Sequence, residues 1–126
     1  MTAIRVTVDG RELEAIWTDG APETRAALAD ALPVAEEAIR WGDELYVDLS
    51  LEAPPENARE VVPDGTIAYW PAGEKLCLFW GPTPASVGDE PRAAAPVTVV
   101  AELVDTDPLA DLEGGARVRL EVLESD

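Results

Sequence analysis

The sequence predicts a mainly β domain, a closed or nearly closed antiparallel barrel covered by one helix. Three observations point there. Short apolar alternations, each ended by turn residues, recur seven or eight times along the 126 residues. Such spacing is typical of closed β architectures. One stretch, Pro22–Leu32, reads convincingly as helix. The densest apolar segment, Gly65–Pro84, reads as a β-hairpin whose strands are apolar on both faces, so it belongs in the middle of the domain. In it, Ile67 and Tyr69 oppose Ala68 and Trp70, and Leu76, Leu78 and Trp80 oppose Cys77 and Phe79, around the turn Pro71-Ala72-Gly73-Glu74.

The other elements follow in order. Ile4, Val6 and Val8 alternate with Arg5 and Thr7, and Asp9-Gly10 is a favoured two-residue hairpin turn. Leu13, Ala15 and Trp17 mark the return strand. Pro22 and Glu23 suit the first turn of a helix, a narrow stripe of Leu28 and Leu32 gives it one apolar side, and Pro33 stops it. Val34–Trp41 reads as a weak strand, with helix as the alternative because Glu36-Glu37 breaks the pattern. Leu45, Val47 and Leu49 alternate with Glu44, Tyr46 and Asp48, an amphipathic strand. Arg59–Val62 reads as a short edge strand. Gly81–Pro96, with four prolines, reads as a long loop of the kind that often carries function. Val97–Leu103 and Val118–Val122 are strands, separated by a helical turn at about 108–112 and by Gly114-Gly115. No linker or repeat divides the chain, so residues 1–126 are expected to form one domain.

Composition narrows the function classes. Asp and Glu number 26 against 9 Lys and Arg, a net charge of −17, and Lys75 is the single lysine. Such self-repulsion is costly in dilute buffer but is screened at molar salt, where the Debye length is roughly 3 Å. The acids are scattered over every segment, which fits an extreme halophile's cytoplasmic protein. An acidic surface for a cationic partner, or a nucleic-acid mimic, is the competing explanation. The charge argues against direct binding to nucleic acid or to an anionic membrane. No apolar run approaches the ~20 residues that span a bilayer, and the first ten residues already read as strand instead of a signal peptide. With no His and one Cys in an apolar run, most nucleophile–base arrangements and N/S zinc sites are excluded. No metal, cofactor or catalytic residue is therefore expected, and Cys77 is read as a small buried hydrophobe.

Val61-Val62-Pro63-Asp64-Gly65 followed by AYWPAGEKLCLFWGPTP (Ala68–Pro84) resembles the signature of a small cyclophilin-like family of archaea and bacteria, whose function is not established. The order of the initial hairpin, the helix, Trp41-Gly42-Asp43-Glu44, Asn57–Val62 and the Val-rich strand Val97–Leu103 is similar as well, so the resemblance covers nearly the whole chain. It implies an eight-stranded cyclophilin-like barrel, of haloarchaeal type given the charge. Peptidyl-prolyl isomerase activity is not implied. The FHR-x-x-x-x-F-x-x-Q-x-G segment of true cyclophilins has no match here, and their groove histidine is absent.

What remains is a binding groove beside the 65–84 hairpin, for a small molecule or an extended peptide. The candidate ligand-binding residues are Arg59, Tyr69, Trp70, Lys75, Thr83 and Ser86. Arg59 also matches the family pattern. Tyr69 and Trp70 offer amphipathic contact area, and Lys75 is a cation on the hairpin turn. Packing is the stronger reading for some of them: Tyr69 and Trp70 as core or barrel lid, and Lys75 as an exposed turn residue; Trp41, outside this set, reads as an anchor at the barrel rim. A diverged prolyl isomerase and a homodimerising interaction module are the alternatives from other classes.

Overall fold

The computed structural model describes residues 4–112 and 114–123. Expectations for residues 1–3, including the start of the first strand pattern, lie outside them. Asp9 and Gly10 both take positive φ (48° and 83°) and join β1 (Ile4–Val8) to β2 (Arg11–Trp17), as the Asp-Gly dipeptide demands. α1 spans Pro22–Ala31 and buries Thr24 and Leu28. Its first N–H groups, which have no partner within the helix, reach Glu56: Oε1 accepts from Thr24 N at 2.7 Å and Oε2 from Glu23 N at 3.3 Å. Burial alone would raise the pKa of Glu56, but these hydrogen bonds outweigh it and lower it. Val34–Arg40 is strand, β3, and not the alternative helix.

The remaining strands are β4 (Glu44–Asp48), β5 (Arg59–Val61), β6 (Thr66–Trp70), β7 (Lys75–Phe79), β8 (Arg92–Leu103) and β9 (Ala116–Val122), with the short α2 (Asp107–Ala110) before the last. All pairings are antiparallel, in the order β2-β1-β9-β3-β4-β7-β6-β8-β5. Pairing of β2 with β8 through Ala15↔Leu103 and Trp17↔Ala101 closes the ring. The closed ring thus holds eight of the nine strands, and β5 lies outside it as an addition to β8. A closed ring leaves no long open edge.

The hairpin of β6 and β7 is packed on both sides, as its alternation predicts. Ile67, Tyr69, Leu76 and Leu78 face the barrel interior, where they join Ile4, Val6, Leu45, Val118 and Leu120. Leu28 and Leu109 from the two helices complete that interior. Ala68, Cys77 and Phe79 face outward into a second, smaller cluster with Val62, Ala93 and Val97. That outer cluster exists because β5 and the first half of β8 fold back over the outside of the hairpin.

One expectation needs correction. The proline-rich segment is not a loop as far as Pro96: β8 begins at Arg92, and Arg92 and Val97 pair with Val61 and Arg59. Pro96 is tolerated because the register of that pairing shifts between its two ends, and a residue lacking an N–H fits an irregular edge.

Candidate functional site

The folding back of β8 leaves a cleft on the outer face of the hairpin. It has a volume of about 200 Å³ and is lined by Trp41, Glu44, Tyr46, Trp70, Lys75, Cys77, Ala93, Ala94, Ala95 and Val97. The register explains who lines it. Outward-facing residues form three rows across the sheet, Glu44 beside Phe79, Tyr46 beside Cys77 beside Ala68, and Asp48 beside Lys75 beside Trp70. The alanines of β8 form the opposite wall, and their small side chains keep the space open.

Several interactions hold the walls apart. The turn before β4 is fixed by Trp41 N–H donating to the Glu44 carbonyl at 2.9 Å, which sets Trp41 at one rim. Gly42 has φ +63°, and a Cβ there would lie 2.7 Å from Thr83 Cα, so only glycine lets the loop after β7 press against this turn. Asp43 N–H donates to the Pro82 carbonyl at 2.9 Å, and Trp80 N–H to the Asp43 carbonyl at 3.0 Å. Arg40 stacks over the Trp80 ring at 5.4 Å and ion-pairs with Asp43 at 3.1 Å. Glu90 ties the end of the loop, accepting from Val87 N at 2.9 Å, Gly88 N at 2.7 Å and Arg92 Nε at 3.1 Å. Those bonds, the first two above all, hold its pKa down at about 2.

The chemistry of the cleft centres on Glu44, only 5% exposed although it begins a strand of an acidic protein. Burial raises its pKa from 4.5 to about 7, with the neighbouring Cys77 thiol a smaller, opposing influence. Burial, together with the neighbouring carboxylate, pushes the Cys77 thiol well above its ordinary value, so it is no nucleophile at neutral pH. Among the described residues no arginine or lysine forms an ion pair with Glu44. No group of three or more potential metal ligands occurs among them either.

The six candidates from the sequence do not converge. Trp70 and Lys75 line the cleft, and Lys75 is ion-paired with Asp48. Tyr69 does not: strand alternation turns it into the barrel, where its hydroxyl donates to the Leu49 carbonyl at 2.8 Å and accepts from Leu51 N at 2.9 Å. Thr83 and Ser86 brace the loop instead of facing a ligand. Thr83 Oγ1 donates to the Arg92 carbonyl, Thr83 N to Ser86 Oγ at 2.9 Å, and Ser86 Oγ to the Glu90 carbonyl. Arg59 is exposed, donates to the Val61 carbonyl at 2.6 Å, and lines a separate recess with Thr18, Glu56 and Asn57. Glu44, Tyr46 and the alanines were not legible as site residues. The signal that could have found Glu44 and Tyr46 is their position on the same outward face as Cys77 and Phe79, an apolar face that something must cover.

The sequence profile of the Cyclophilin-like family matches residues 2–121, nearly the whole chain. The chain belongs to the cyclophilin-like family. Among solved structures, the solution structure of the hypothetical protein AF2241 from Archaeoglobus fulgidus is similar, with a TM-score of 0.76 and 35% sequence identity. The match covers 97% of this chain and 95% of that one. No curated protein matches the chain. Among the described residues no helix is long and apolar enough to cross a membrane.

Proposed function

We propose that this cyclophilin-like domain is a binding module that takes a small molecule in the cleft outside the β6–β7 hairpin, without isomerase chemistry. The observation that carries it is the set of side chains in that cleft: three aromatic residues, Trp41, Tyr46 and Trp70, share it with one buried carboxylate, Glu44. Concave, mostly apolar sites with a few placed polar groups are where small ligands bind. A second mode, capture of an extended peptide, is favoured by one feature of β8. Its first half pairs with β5 along one edge, whereas pairing with β6 starts only at Thr98. The backbone at Ala93–Ala95 is thus placed to receive an added strand. The charge of −17 supports work at high salt, in the cytoplasm of a halophile.

The test is a metabolite screen read by thermal shift and tryptophan fluorescence in molar salt. Binding that Trp70→Leu abolishes supports the proposal, and a screen without hits contradicts it. A protease-coupled proline-peptide assay separates the isomerase alternative, which clear acceleration would establish. Light scattering across concentrations does the same for the homodimer, which a strict monomer would exclude.

A further inference from the structure

Resting on the assignment of this cleft as a binding site, we propose that its ligand is a compact organic cation, a substituted ammonium group held against Trp41, Tyr46 and Trp70 with Glu44 as its counter-ion. Three of the chain's seven aromatic side chains line this one cleft. Aromatic faces carry negative charge density and attract cations, most strongly when water is excluded. The same cleft holds a single carboxylate, and it is the buried one. Buried carboxylates are normally paired with a cation, yet the single lysine, Lys75, is ion-paired with Asp48, and Arg40 with Asp43. The neighbouring Cys77 thiol, a weak donor, points its hydrogen at the Lys75 carbonyl at 4.0 Å. A ligand cation would supply what the chain leaves out.

The lining also discriminates among cations. Hard metal ions take six or more oxygen ligands, and one carboxylate among aromatic and alanine side chains cannot provide them. A cation clothed in carbon loses little hydration on entry and gains contact with the rings. The net charge of −17 raises the local concentration of any cation, but without selectivity.

The other titratable groups lining the cleft are Tyr46, Cys77, whose thiol burial pushes well above its ordinary value, and Lys75, whose ammonium is held charged first of all by its hydrogen bond to Asp48. Cation binding should then follow the ionisation of Glu44 alone. It should be constant above its pKa of about 7. Below that pH it should weaken by up to about tenfold per unit, about 100-fold by pH 5.

The experiment compares choline with 3,3-dimethylbutan-1-ol, its uncharged carbon isostere, by calorimetry at pH 8 and pH 5 and fixed ionic strength. The expected result is saturable choline binding at pH 8, about 100-fold weaker at pH 5. The isostere should bind at least about tenfold more weakly than choline at pH 8 and be indifferent to pH. In Glu44→Gln choline should fall to the level of the isostere. Trp70→Leu, which leaves the carboxylate in place, should also lose choline, so a folding defect in one variant does not decide the matter. Equal binding of choline and isostere would overturn the cation while leaving a binding cleft intact. Choline binding that survives Glu44→Gln would mean attraction by the overall charge, and absence of choline binding at pH 8 would overturn the proposal outright. Failure of the metabolite screen as well would remove the binding module itself.

Discussion

Replacing Glu44 by Gln should stabilise the protein at neutral and alkaline pH. The carboxyl titrates near pH 4.5 when exposed in the unfolded chain and at about 7 when buried in the folded one. Between those values the folded state keeps a proton that the unfolded state has lost, so stability falls as pH rises, by about 1.4 kcal/mol per unit at most. The 2.5-unit gap amounts to about 3 kcal/mol, present in full below pH 4.5 and gone above about pH 7. Gln keeps the shape and cannot ionise. The assay is urea denaturation of wild type and Glu44→Gln from pH 4 to pH 9 at fixed molar salt. The difference between the two cancels the other carboxylates. Glu44→Gln should gain on wild type through pH 4.5–7, and level off about 3 kcal/mol ahead of its acid-side value. A difference that stays flat across this range would mean that Glu44 is solvated, and the cleft would lose its distinguishing group.

Three further outcomes follow from the same geometry. Tyr69→Phe should cost about 1–3 kcal/mol in denaturant unfolding, because it strips a partner from the backbone of Leu49 and Leu51. It should leave ligand binding unchanged, whereas a contact residue would show the reverse. Gly73→Ala should displace the Trp70 ring, since a Cβ there would lie 2.4 Å from it. A shifted tryptophan emission and a loss of about 1–3 kcal/mol are expected, and an unchanged spectrum would contradict the packing described. Dialysis from molar to millimolar salt should lower the melting temperature as repulsion among the carboxylates is unscreened. A constant melting temperature would count against salt adaptation.

Much of the architecture was legible in the sequence because it rests on local pattern. The two-faced alternation of Ile67–Trp70 and Leu76–Trp80 announced a hairpin packed on both sides, and both clusters are there. Pro22 and Pro33 bracketed α1. The proline-rich segment misled because β8 tolerates Pro96 through irregular pairing with a distant strand, which local pattern does not reveal. The site was only half legible for a similar reason. Trp70 and Lys75 belong to the hairpin and could be found there. Glu44 and Tyr46 read as the wet side of an amphipathic strand, since nothing nearby in sequence says that β5 and β8 return to cover that side. Arg59 stood out by its place in the family pattern, but β5 carries its side chain to a different recess.

Native mass spectrometry of the full chain purified in molar salt tests the central claim most directly. Wild-type protein should carry a non-covalent small molecule, and Trp70→Leu should not. Bare wild-type protein that also stays bare after incubation with a metabolite extract would contradict a binding cleft on the outer face of the hairpin.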